Sequence, residues 1–419
     1  MESIMQDKNH EYKFSKDDID YLLKPKAIMD KAYQIFRYAQ DGNTHFNLNL
    51  DKIPEVAEMV LEVTKQNYPD LNIPFHSRWS HFNSEKLNRV QQLNNLLEKY
   101  DSVEIGRRKI DLVIVSVLLD AGAGDQWKFK DPQTQEVISR SEGLAVASYH
   151  LFCRGGFSND PKDPLRVDAN ALMSFNEEML KEAFQVNDNN PLVGGSGRVQ
   201  LLNKLGAILL KKSSFFKEGR PGNLIDYYQS QMDIEDNLPA ENILNSILIG
   251  LGEIWPGRVQ LGGKNLGDVW AYAPFKKGAS TNDLIPFHKL SQWLTYSLIE
   301  PLIDVGFKIS LVERLTGLAE YRNGGLFIDG EVLMLKDPDE LQKPHAPESD
   351  LVIEWRALTL VLIDKVAEYI RNKLQKSEVD FPLPKVLEGG TWWAGRILAR
   401  QKRPSGGPPI NIISDGTVF

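Results

Sequence analysis

VIEWRALTLVLIDKVAEYIRNKL, residues 352–374, decides the fold class. Its apolar side chains Trp355, Leu358, Leu362, Val366, Tyr369 and Ile370 recur at intervals of three and four, the face of an α-helix and not the alternation of a strand. The same spacing predicts helices over 25–39 (Ile28, Ala32, Ile35, Phe36), over 84–100 with Ser84 as cap, and over 286–299 starting at Pro286. Short apolar pieces such as RVQLGG (258–263) and the terminal INIISDGTVF (410–419) read as strands, and the tail is apolar enough to pack. Strand and helix do not alternate along the chain, which disfavours a doubly wound nucleotide fold. The expectation is a mainly α protein with small β elements. Residues 1–150 would form an N-terminal helical part and 151–419 a C-terminal one, with the pocket between them.

The 419 residues are 42% apolar and 25% charged, and the net charge is −8. No basic run reads as a nucleic-acid face. Apolar runs such as DLVIVSVLLDAGAG (111–124) are too short to span a bilayer, and the first residues lack the apolar core of a secretory signal. Cys153 is the single cysteine, so an intrachain disulfide is excluded. A cytoplasmic protein without nucleic-acid or membrane partners is expected; the oligomeric state is not legible.

Polar side chains gather around glycines. PFHSRWSHF (74–82) brings together His76, Arg78, Trp79 and His81, either an aromatic cluster with a satisfied histidine or a ligand wall. LLDAGAGDQW (118–127) has an acid before a glycine loop but no P-loop pattern. In RSEG (140–143), Ser141 is placed to cap a helix. In VGGSGRVQLLNK (193–204), backbone N–H groups and Arg198 would suit a phosphate, while Ser196 would suit a plain cap. GRPGNLIDYY and WPGRVQLGGKNLGDVWAY add Arg220, Asp226, Arg258, Lys264, Asp268 and Trp270. LAEYRNGGLFIDG (318–330) sets Glu320, Tyr321 and Arg322 against what reads as a glycine hinge. With Glu354 and Arg356, Glu320 and Arg322 offer two carboxylate–guanidinium pairs, structural or catalytic.

Several of these segments, with RPGNLIDY, IWPGRVQLGGKNLGDVW, PFHKLSQWLTYSLIEPL, EYRNGGLFIDGEVL and GGPPINIISDGTVF, resemble the uracil-catabolism protein-four family from about residue 20 to Phe419. That resemblance implies a role in pyrimidine degradation, where urea is released from a ribosylurea after the uracil ring opens. LAEYR and PFHKLSQWLTYSL also resemble the queuosine-salvage N-glycosidases, helical relatives of helix-hairpin-helix glycosylases, although Glu320 stands where those proteins have aspartate. Together the two resemblances imply hydrolysis of a C1′–N bond without metal or organic cofactor. Glu320 would stabilise the sugar cation, with Asp226 or Asp268 as reserve carboxylates. Tyr321 and Arg322 would orient it or hold ribose; Arg78, Arg198 or Lys264 would meet a 5′-phosphate; His76, Trp79, Trp270 and His288 would complete the wall.

The rival readings are a uracil phosphoribosyltransferase, a non-catalytic pathway binding protein and a metal-dependent ureidase. The first lacks its adjacent-acid, threonine-glycine phosphate loop. The last lacks any HxH or HExxH spacing among seven histidines.

Overall fold

The helix Asp350–Leu374 runs 25 residues and is buried on almost every face, from Leu351 and Val352 through Trp355 and Leu362 to Ile370. In the computed structural model it lies against the helices Pro25–Gln40 and Ile53–Asn67. The structure describes residues 12–120, 122–124, 126–255 and 258–413, and a strand at Met5–Gln6. The helix ends at Gln375, whose φ of 54° places it in the left-handed region that stops helices.

A second layer forms where the helix Ser102–Leu118 packs on Lys289–Asp304. Asp101 caps the first by accepting the Glu104 N–H at 2.9 Å. The second contains Pro301, which cannot donate to the Ser297 carbonyl one turn earlier. The indole Nε1 of Trp79 donates to that carbonyl instead, at 3.0 Å. The backbone N–H of Arg78 donates to Ser297 Oγ at 2.9 Å, so the HSRWSHF segment is pinned along this helix. Trp79 therefore fills the hydrogen-bonding gap that a helix proline leaves.

The protein is mainly α. Among the described residues every sheet has two strands of two or three residues. Lys264 sits in one such hairpin, Gln260–Leu261 with Lys264–Asn265. The parallel pair Pro344–His345 with Asn411–Ile412 carries the C-terminal segment back over the body. The tail beyond residue 413 lies outside the described residues. No helix among them is long and apolar enough to cross a membrane.

Two helix starts differ from the sequence expectation. The helix predicted from Ser84 begins at Arg89, capped by Asn88, because Ser84 pairs in a bridge with Leu87 and donates to Glu136 at 2.8 Å. The helix predicted from Pro286 begins at Lys289, because Leu284–Pro286 is a strand paired with Val269–Ala271. The glycines of YRNGG are not a hinge. Both lie inside the helix Tyr321–Asp329, and a Cβ on Gly324 would stand 2.7 Å from the Trp355 ring. Trp355 Nε1 donates to the Gly324 carbonyl at 3.0 Å, so this short helix presses on the central one.

Gly324→Ala should therefore destabilise by about 1–3 kcal/mol despite alanine's better helix propensity; urea denaturation reads the sign directly, and a gain would refute the close contact. Burial raises the carboxyls of Glu300 and Asp364 to about 7. The folded chain then holds protons that the unfolded chain releases, so stability should fall as pH rises from about 4 to about 7 and level off above. Each group contributes on the order of 3–4 kcal/mol to that fall. Glu300→Gln with Asp364→Asn should flatten the slope in melts taken across this range.

Candidate functional site

A cavity of about 320 Å³ opens where the two helical layers meet. Its wall takes His76, His81, Asp120, Arg140, Ser141 and Glu142 from the first part of the chain. Lys289, Trp293, Glu320, Tyr321, Arg322, Trp392 and Arg396 come from the second. The segment 406–412, drawn back by the parallel strand pair, supplies Gly406, Gly407, Pro408, Asn411 and Ile412.

Glu320 is 9% exposed and caps the helix Tyr321–Asp329. Its Oε2 accepts the Arg322 N–H and its Oε1 the Asn323 N–H, each at 2.6 Å. Two backbone donors thus fix the carboxylate at the positive end of a helix. Arg322 donates from Nη1 to the Gly406 carbonyl at 3.0 Å, tying the returning segment to the cavity floor. Neither pair predicted with the EWR segment forms. Glu354 accepts the Tyr272 hydroxyl at 2.7 Å and the His45 backbone N–H at 2.7 Å, and Arg356 pairs with Asp268.

Lys289 opens the helix Lys289–Asp304, and Trp293 lies four residues on, which is one face of a helix. Among the described residues no carboxylate lies within ion-pair distance of the Lys289 ammonium; burial lowers its proton affinity, partly offset by the charges of Glu320 and Asp120. Trp293 stands beside both histidines, its ring centroid 4.8 Å from that of His76 and 5.6 Å from that of His81. Trp392 follows at 6.5 Å from His76, with the Arg396 guanidinium 5.2 Å from the Trp392 ring centroid.

Asp120 organises the other wall. Its Oδ1 lies 2.8 Å from Arg78 Nη1 and accepts the Ser141 hydroxyl at 2.7 Å. Ser141 Oγ also lies 3.1 Å from His81 Nδ1. Ser141 is thus not a helix cap; it links an acid to an imidazole. Burial lowers the proton affinity of His81, only partly countered by Glu142. Burial raises the Glu142 carboxyl, but His81, its own backbone N–H and Arg396 outweigh that and hold it below the usual range.

The cavity brings together four of the predicted site residues: His76, Glu320, Tyr321 and Arg322. The others lie outside this cavity, and all but Lys264 are held by a hydrogen-bonding or ionic partner. Arg78 is fully buried and spends its guanidinium on Asp120, Ser116 and Ser141, so it braces the wall and offers nothing to a phosphate. Arg198 donates to the carbonyls of Leu119, Val193 and Gly122, clamping the glycine segment instead of an anion. Gly194, not Ser196, is the N-cap of that helix. Asp226 is paired with Arg107 at 2.7 Å. Asp268 binds Arg356 through both oxygens at 2.8 and 2.7 Å and accepts from Trp270 Nε1 at 2.6 Å. Despite burial, the Arg356 charge holds it far below the usual carboxylate range. His288 donates from Nε2 to the Leu22 carbonyl at 2.8 Å, and Lys264 remains on its hairpin.

Sequence reasoning missed Lys289, Trp293, Trp392 and Arg396 as site residues. The signal was present: HKLSQW and WWAGR each set a cation and an indole four apart, on one helix face.

The chain matches the model of the family described as "Protein of unknown function (DUF1688)" over residues 21–419. It is 38% identical over 440 residues to "Uracil catabolism protein 4" of Lachancea kluyveri, covering 96% of this chain and 99% of that protein. It is 41% identical over 416 residues to "Protein urg3" of Schizosaccharomyces pombe, covering 97% and 100%. With its cavity built from segments spread over that whole match, the chain belongs to this family.

Proposed function

We propose that the protein acts in uracil catabolism as an N-glycosidase, hydrolysing the C1′–N bond of a ribosylurea, as its 5′-phosphate, to release urea. The observation that carries this reading is Glu320, a carboxylate fixed by two backbone N–H groups in a cavity wall. Breaking a C1′–N bond develops positive charge on C1′ and the ring oxygen. A carboxylate already oriented beside that charge stabilises it without reorganising. The name of the Lachancea relative supplies the pathway.

The rest of the wall fits such a substrate. The cavity is of a size that takes a small metabolite. His76, His81, Trp293 and Trp392 offer flat faces and ring nitrogens to a planar ureido group. Arg140, Lys289, Arg322 and Arg396 give the site cations for an anionic 5′-phosphate. Of these, Arg322 and Arg396 have acceptors in Gly406 and Glu142, whereas Lys289 has no carboxylate partner among the described residues. Lys289 is therefore the phosphate anchor of this reading, replacing Arg78, Arg198 and Lys264.

The purified chain should release urea from ribosylurea 5′-phosphate with water alone; turnover that requires pyrophosphate and Mg²⁺ would instead assign a phosphoribosyltransferase. Glu320→Gln should lower kcat by roughly a hundred- to ten-thousand-fold. Thermal melting should show a cap loss of only about 0.5–2 kcal/mol, which separates catalysis from folding. Lys289→Met should raise KM for the phosphorylated substrate about tenfold or more, the loss of one charge-assisted contact. It should leave the unphosphorylated ribosylurea unaffected, and an equal change on both would remove Lys289 from phosphate binding.

A further inference from the structure

A poor leaving group needs a proton, and the N-glycosidase reading above leaves the donor unnamed. We infer that His76, oriented by Glu388, is the general acid that protonates the departing urea nitrogen. This rests on the proposed reaction and adds to it a donor and a positioning residue.

The geometry is that of a carboxylate–histidine dyad. His76 Nδ1 lies 2.7 Å from Glu388 Oε2, and the other oxygen, Oε1, accepts the Tyr68 hydroxyl at 3.1 Å. The side chains of His76 and Glu388 are 7% and 10% exposed, so the pair is shielded from bulk water. Burial raises the Glu388 carboxyl, but the bond from His76, the neighbouring imidazoles and Tyr68 outweigh it and keep the group below the usual range. An ionised Glu388 only accepts, so the proton of this bond belongs to Nδ1. That leaves Nε2 as the ring's working atom. It makes no hydrogen bond among the described residues, and His76 lines the cavity.

The backbone is built to hold this pair. The His76 N–H donates to the Pro384 carbonyl at 3.0 Å, joining the two segments a second time. Glu388 lies in a π-helical turn, Leu387–Thr391, a wide turn often found at functional sites. Gly390 lets that turn touch the helix Ile53–Asn67, since a Cβ there would stand 2.4 Å from the Val60 carbonyl. The groups that set the field around His76 are Glu388 and Tyr68, His81, and through His81 Glu142, Asp120 and Arg78. Glu300 lies one layer back, bonded to Ser77 and sensing the charge on Glu388.

The step balances without a co-reactant. The C1′–N bond breaks and its electron pair stays on nitrogen, which takes the proton from His76 Nε2. Water adds to C1′ on the side of Glu320 and releases one proton, which restores Nε2–H. The net change is ribosylurea plus water to ribose, or its phosphate, plus urea.

The test compares ribosylurea, in the form that the wild-type chain turns over, with a ribosyl pyridinium, whose leaving group departs without a proton. His76→Gln should cut kcat on ribosylurea by roughly a hundred- to ten-thousand-fold and change the pyridinium rate only a few-fold. Glu388→Gln should lower kcat on ribosylurea by roughly tenfold or more, with KM and the pyridinium rate little changed. Equal losses on both substrates in either variant, or unchanged ribosylurea turnover in either, would overturn the dyad while leaving the glycosidase reading intact. A wild-type chain that frees no urea from either ribosylurea would overturn that reading, and the dyad with it.

Discussion

The two oxygens of Asp268 meet the two terminal nitrogens of Arg356, and much of the site hangs on that contact. Arg356 belongs to the central helix. Asp268 Oδ2 also accepts the backbone N–H of Lys289, and the Asp268 carbonyl accepts that of Phe287. One carboxylate therefore anchors the start of the Lys289–Asp304 helix to the centre of the protein. Removing one partner of such a buried pair leaves an uncompensated charge, which typically costs about 3–5 kcal/mol. The direction of Lys289 and Trp293 into the cavity follows from this anchor. His288 just before them carries a φ of 49°, a left-handed conformation that its surroundings must hold in place.

The cavity wall mixes signs deliberately enough to read. Asp120, Glu142 and Glu320 face Arg140, Lys289, Arg322 and Arg396 around one small volume. Most of these charges are engaged: Glu320 by backbone amides, Asp120 by Arg78 and Ser141, Glu142 by Arg396. What remains open to a guest is narrower. Among the described residues it includes the ammonium of Lys289, the Nε2 edge of His76, and the flat faces of Trp293 and Trp392. A guest with one anionic end and one planar, hydrogen-bonding end matches that remainder.

Local physics accounts for what could be read in advance. Three-and-four spacing names the Asp350–Leu374 helix because a buried helix repeats its apolar face whatever packs on it. It misplaced the starts at Ser84 and Pro286, since a serine caps only when the chain beyond it is free to turn, and both stretches pair in β-type contacts instead. Glu320, Tyr321, Arg322 and His76, which line the cavity, could be picked out in the sequence because they sit in short polar clusters. Arg78, Arg198 and Asp268 share that clustering, yet their charges are consumed by Asp120, by three carbonyls and by Arg356. No spacing within the chain reveals a partner 42, 79 or 88 residues away.

The sequence by itself determined a mainly helical chain, the amphipathic faces that pack it and the polar clusters from which a site is drawn. Those are set by neighbours within one or two turns. Only the tertiary structure decided which charges are spent on the scaffold and which are left for a ligand. That division depends on contacts between distant segments, where a buried ion pair or a carbonyl clamp satisfies one arginine while one lysine, among the described residues, is left without a carboxylate partner.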